Sequence, residues 1–131
     1  REGNKILCFG NGGSSQQASH FVAELIHEGL TAISLTSDAS ILTAIANDSS
    51  YKEVFVKQII ALGKPKDIAM GFSTSGKSEN VLYAYEWARN LGLEVIDFPR
   101  KGKDTPRIQE YQLRQLHLIW KIIANEKNNI K

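Results

Sequence analysis

Two rhythms of apolar and polar residues alternate along this chain. Short, continuously apolar runs end in small or polar residues: "KILCFG" (Lys5–Gly10), "TAISLTS" (Thr31–Ser37), "DIAMGFS" (Asp67–Ser73) and "LEVIDF" (Leu93–Phe98). Runs of this length predict strands buried on both faces. Between them, apolar positions recur every three or four residues. Ala18, Phe21, Val22, Leu25 and Ile26 predict a helix over Ser14–Glu28, with Ser14 or Ser15 as its cap. Helical spacing also covers Ser40–Ala46, broken by "NDSS", then Tyr51–Leu62, closed by Gly63, then Glu79–Leu91 and roughly Arg107–Asn125. Strand and helix in alternation predict a single α/β domain over residues 1–131. The expected fold is a three-layer parallel sheet flanked by helices, of the flavodoxin or Rossmann type.

In such folds ligands sit beyond the carboxyl ends of the strands. Three of the four predicted strands end in small polar turns, "GNGGSS", "TSDAS" and "STSGKS", which places the site on one sheet edge. "STSGKS" (Ser73–Ser78) combines the hydroxyls of Ser73, Thr74, Ser75 and Ser78 with a glycine and the free amides of a helix start. That set suits a phosphate. The plainer alternative is that these residues only cap the helix and shape the turn.

Two nucleotide motifs bear on this region. "GFSTSGKS" (Gly71–Ser78) has the letters of a Walker A loop, with Lys77 and Ser78 in place, and "LEVID" imitates a Walker B strand. A nucleoside triphosphatase is therefore an alternative on pattern alone. The dinucleotide fingerprint fails, because "GNGGSSQ" supplies Gly10 and Gly12 but has Ser15 where the third glycine belongs.

Composition narrows the classes further. Of 131 residues, 16 are basic and 14 acidic, dispersed along the chain, and the net charge is +2. No concentrated basic face is present for nucleic acid. The short run "PRKGK" (Pro99–Lys103) reads either as a solvated loop or as a contact to an anionic substrate. The single cysteine, Cys8, permits no disulfide within the chain and reads as a small buried hydrophobe. No apolar stretch approaches a membrane span. The opening "REGNK" lacks the apolar core of a signal peptide, so a cytoplasmic location is the default expectation.

The titratable groups cluster on two helices. His20 and Glu24 are four residues apart and share a face, as a metal-ligand or acid–base pair or as a plain surface pair. Gln109 and His117, eight residues apart, are nearly aligned on the last helix, with His117 beside an apolar stripe of Ile108, Leu113, Leu116 and Ile119. His27 has no partner in view.

Taken together, "GNGGSSQQASHFVAEL", "LTSDASILTAIANDSSYKEVF", "ALGKPKDIAMGFSTSGKSENV" and "TPRIQEYQLRQLH" resemble the bacterial phosphoheptose isomerases of the sugar isomerase (SIS) fold, in order and over nearly the whole chain. The resemblance implies an enzyme that converts sedoheptulose 7-phosphate to D-glycero-D-manno-heptose 7-phosphate through an enediol, the first step of heptose synthesis for lipopolysaccharide or capsule. It implies a phosphate loop of Ser73, Thr74, Ser75 and Ser78, with further substrate contacts from Asn11, Gly12, Gly13, Ser14 and Gln109. Asp38, Asn47 and Asp48 would lie near the sugar hydroxyls. His20, Glu24, Gln109 and His117 would form the metal or acid–base cluster, zinc being the metal. Glu24 would be the carbon base and His117 the acid on the oxygen side. A phosphosugar substrate and a homotetramer with sites near subunit interfaces also follow, with no nucleic acid and no membrane. The second functional class is a non-catalytic SIS protein-binding factor of the replication-initiator-associating type, which would not need the full His/Glu/Gln/His set.

Three departures from the family pattern stand out. Members open with a further helical segment, which this chain is expected to lack, and the join at "LIHEGLTAI" is shorter than theirs. Between "LEVID" and "TPRIQE" only Phe98–Asp104 remain, too few for a fifth parallel strand and its crossover. The reading favoured for that gap is that flanking pieces are joined across omitted residues, the other being a true loss of the strand.

Overall fold

The computed structural model describes residues 3–130, with side chains to residue 126. Four strands, β1 (Ile6–Gly10), β2 (Ala32–Ser34), β3 (Ile68–Phe72) and β4 (Glu94–Asp97), form one parallel sheet in the order β2-β1-β3-β4. The helices are α1 (Gly13–His27), α2 (Ala39–Asp48), α3 (Val56–Leu62), α4 (Glu79–Asn90) and α5 (Thr105–Ile130), with a 3₁₀ turn at Tyr51–Glu53. The expected three-layer α/β architecture is present, with four strands among the described residues. No helix among those residues is long and apolar enough to cross a membrane.

The sheet separates two cores. On one face Leu7, Phe9 and Ala69 pack with Leu35, Phe55 and Ile59, and with Val81, Ala84 and Tyr85 of α4. On the other face Cys8, Met70 and Phe72 meet Phe21, Val22 and Leu25 of α1 and Leu116 of α5. Alternate residues of β1 and β3 point to opposite cores, so both strands must be apolar throughout, as the pattern required. β2 and β4 are the edges, and the exposed Glu94 and Asp97 of β4 blunt its edge against further pairing.

Several boundaries differ from the expected ones. The cap of α1 is Gly12, at φ 54°, and not Ser14 or Ser15. Ser14 is instead buried inside the first turn, and the Ser15 hydroxyl turns back to donate to the Gly12 carbonyl at 2.6 Å. Gly10 explains why the chain enters so tightly, since a Cβ there would lie 2.6 Å from the Phe72 carbonyl oxygen. "NDSS" does not stop α2 before Asn47, and the helix runs to Asp48. The Tyr51–Leu62 helix is divided, because a 3₁₀ turn precedes α3. The last helix starts earlier, at Thr105, and continues to Ile130.

Residues Phe98–Asp104 join β4 directly to α5. Phe98 anchors the join: it is 1% exposed and stacks on Phe72 at 4.5 Å between ring centres, while its N–H donates to the Gly71 carbonyl.

Candidate active site

The chain leaves β1 for β2 on one side and returns to β3 on the other, so a crevice opens between the carboxyl ends of β1 and β3. Asn11 and Asn80 close its floor through reciprocal amide hydrogen bonds of 2.9 Å each. The Tyr51 hydroxyl donates to the same Asn11 oxygen at 2.9 Å. Asn11 thus ties the first turn to α4 and to the 3₁₀ turn. Neither Asn80 nor Tyr51 was singled out from the sequence, because both lie in helical patterns with no motif of their own.

The "STSGKS" turn follows β3 on this edge. The Gly76 N–H donates to the Ser73 hydroxyl and the Lys77 N–H to the Ser75 hydroxyl, each at 3.0 Å. Ser73 is buried, whereas Ser75 is exposed and Thr74 and Ser78 are half-buried. Ser78 is the N-cap of α4, yet its side chain makes no capping bond and stays available to a ligand. This turn is not a Walker loop. Gly71, the first letter of that motif, lies inside β3 against the Tyr85 ring, and Asp97 is engaged by Tyr85 and Arg100.

α1 and α5 lie side by side and bring the titratable groups together. His20 Nε2 stands 3.0 Å from Glu24 Oε1 and 3.1 Å from His117 Nε2, and His117 Nε2 stands 3.3 Å from Glu24 Oε1. Two imidazole nitrogens and a carboxylate oxygen that share one point repel one another unless a proton or a cation lies between them. Bonds of about 2.0–2.1 Å to a tetrahedral ion separate its ligands by roughly 3.3 Å, close to these spacings. The second Glu24 oxygen is buried without a hydrogen-bond partner. The donor set and the orphaned oxygen both fit a metal ion. A cleft of about 570 Å³, lined by Glu24, Leu113, Arg114, His117, Trp120 and Lys121 among others, opens beside the trio.

Gln109 lies on the same helix as His117. Its side-chain amide packs against Gly13, where a Cβ would collide with it, and its backbone carbonyl accepts from Gln17 Nε2 at 2.5 Å. It is two turns from His117 on α5, at the level of the first turn. Asp38 is the N-cap of α2 and accepts from the Ser40 N–H at 2.8 Å. Asn47 donates to Asp48 at 3.0 Å at the exposed end of α2. These three residues are therefore engaged locally, and the structure does not join them to the other two groups. A connection absent from the sequence reading is Gln112: fully buried on α5, it donates to the Ser73 carbonyl at 3.2 Å.

Comparisons with known proteins now decide the family. The family model of the SIS domain matches residues 1–98. A phosphoheptose isomerase of Helicobacter pylori (strain P12) is 46% identical over 137 positions, covering 88% of this chain and 71% of that protein. The phosphoheptose isomerase of Thermodesulfovibrio yellowstonii is 44% identical, covering 95% and 73%. The chain belongs to the SIS-domain phosphoheptose isomerases. Among solved structures, phosphoheptose isomerase from Neisseria gonorrhoeae superposes with a TM-score of 0.91 at 36% identity, over 95% of this chain and 78% of that one. The 137 aligned positions exceed the share of this chain that takes part, so the Helicobacter pylori relative carries insertions that this chain lacks. This agrees with the short connections noted above.

Proposed function

We propose that the chain isomerises a seven-carbon ketose phosphate, sedoheptulose 7-phosphate, to the corresponding aldose. The observation that carries this reading is the meeting of Glu24 and His117 on adjacent helices, with α5 also anchored to the serine turn. Gln112, which bonds to Ser73, precedes His117 by five residues, or roughly 7.5 Å along the helix axis. A heptose phosphate separates its reacting carbons from its phosphorus by several bonds, so one substrate can engage both ends.

In this mechanism Ser73, Thr74, Ser75 and Ser78 hold the phosphate with the first amides of α4. Gly12 and Gly13 let the backbone of the first turn approach the sugar, and Ser14 lies beside it. Glu24 takes the proton from C1 of the ketose, which gives an enediol, and returns it to C2. His117 moves the compensating proton between the two oxygens, so that C1 ends as the carbonyl and C2 as the alcohol. Positioned groups of this kind contribute about 10²–10⁴-fold each. His20, Glu24 and His117 would hold zinc, which when bound would supply Lewis-acid polarisation of the substrate oxygen in place of the proton that His117 Nε2 carries in the metal-free site. Exposed Ile26, Leu118 and Ile122 on α1 and α5 support assembly with further copies of the chain, the tetramer implied by the resemblance.

Incubation of the purified protein with sedoheptulose 7-phosphate, with aldose formation followed directly, tests the proposal. Turnover is expected to fall at least 100-fold in Glu24→Gln and in His117→Ala. No turnover by the parent protein, or full activity in both variants, refutes it. The protein-binding alternative has no use for a converged His/Glu/His trio and is not favoured.

A further inference from the structure

The basic run after β4 does not project into solvent throughout. The Arg100 guanidinium lies flat against Gly76, the glycine of the serine turn. A Cβ at position 76 would fall 2.9–3.0 Å from its Cζ, Nε and Nη2 atoms. Gly76 is also at φ 69°, so a side chain is disfavoured there both by the backbone and by the cation above it.

Arg100 is held in that position from behind. Its Nη1 and Nη2 donate to the two oxygens of Asp97 at 2.7 and 2.8 Å, a bidentate pair that fixes the plane of the guanidinium. Asp97 in turn accepts from the Tyr85 hydroxyl at 3.0 Å. Tyr85 is buried between α4 and β3, where the missing side chain of Gly71 makes room for its ring. A rigid chain of contacts therefore runs from the strand, through Tyr85 and Asp97, to a guanidinium on the turn. Burial alone would raise the Asp97 carboxyl, but the bonds from Arg100 and Tyr85 hold it below the usual range, so the pair stays ionised.

Two of the five guanidinium N–H donors serve Asp97, which leaves three for a ligand beside the turn. The turn itself contributes neutral hydroxyls and amides. Its other cation, Lys77, lines a separate hollow with Lys52 and Glu79. We infer that Arg100 is the cationic element of the phosphate site, binding the phosphate monoester of the substrate from a position set by Asp97 and Tyr85. This rests on the assignment of the serine turn to phosphate.

The test compares the parent protein with Arg100→Gln, Arg100→Lys and Asp97→Asn. It reads kcat and KM for sedoheptulose 7-phosphate and inhibition by inorganic phosphate at low and high salt. Arg100→Gln is expected to raise KM and the phosphate inhibition constant about tenfold or more, with kcat within about threefold. Its phosphate affinity should also lose much of its salt dependence. Arg100→Lys keeps a charge without the fork and should fall between, while Asp97→Asn should shift KM in the same direction by less. Unchanged KM and phosphate inhibition in Arg100→Gln overturn the assignment. Ser73→Ala and Ser78→Ala separate the two levels. If they weaken phosphate inhibition while Arg100→Gln does not, only the role of Arg100 falls. If they too have no effect, the phosphate turn falls with it.

Discussion

Removal of the Asp67 carboxylate is expected to destabilise the fold strongly without touching the site. Asp67 is fully buried at the amino-terminal edge of the sheet, opposite the ligand turns. Its Oδ2 accepts from Lys5 Nζ at 2.6 Å and from the Lys64 N–H at 2.8 Å, and its Oδ1 from the Lys5 N–H at 2.9 Å. Asn4 Nδ2 adds a bond of 3.3 Å. One side chain thus fastens the start of β1 to the start of β3, 62 residues apart in sequence. In Asp67→Ala the mostly buried Lys5 ammonium and two backbone N–H groups lose their acceptor. Breaking a buried ion pair from one side costs about 3–5 kcal/mol. For a domain of this size that corresponds to a fall in Tm of roughly 10–20 °C. Asp67→Asn keeps one acceptor oxygen and should cost about half as much.

The same carboxylate makes the effect depend on pH. Burial alone would raise its pKa, but the bonds from Lys5, Lys64 and Asn4 lower it below the ordinary value. A carboxyl whose folded pKa is depressed stabilises fully above its unfolded pKa, about 3.9, and loses that contribution as pH falls through the folded value. Thermal unfolding followed by circular dichroism at pH 7 and through the acid range is the assay. The gap between parent and Asp67→Ala should be wide at pH 7 and narrow below pH ~4. A gap under about 1 kcal/mol at pH 7, or one that does not narrow in acid, refutes the reasoning.

Two further expectations concern groups that differ in exposure. Burial pushes the Cys8 thiol up to about 12, so a thiol reagent at pH 8 should label the folded protein far more slowly than the unfolded one, and rapid stoichiometric labelling of native protein would contradict the buried placement. Zinc added to metal-stripped protein at about 100 times its dissociation constant should contribute roughly 2.7 kcal/mol to stability, read as a rise in Tm. His20→Ala and His117→Ala should each remove most of that rise, and an equal rise in both variants would refute the metal assignment.

Much of the fold was legible because its signals are local. Buried parallel strands must be apolar on both faces, so β1 and β3 appear as unbroken runs. The i, i+4 spacing of His20 and Glu24 puts them on one face of any helix, whatever surrounds it. Boundaries were less legible where a competing interaction decides them. Ser14 has the chemistry of a cap, but the close approach of Gly10 to Phe72 drives the chain to turn one residue pair earlier, at Gly12. Asp38 has the chemistry of a sugar ligand, and its Oδ1 also caps α2, a role that only the folded chain shows.

Sequence alone determined the α/β class and the sheet edge that carries the polar turns, since each rests on residue types at fixed spacings along the chain, while the family rests on likeness to known relatives. Only tertiary structure decided which distant residues meet. The contact between His20 and His117 spans 97 residues, that between Asn11 and Asn80 spans 69, and Arg100 reaches Gly76 across a different element altogether. No periodicity reports such meetings, because they depend on how helices settle on the sheet: which side chains bury, and which backbone positions are bare enough to let a neighbour close in.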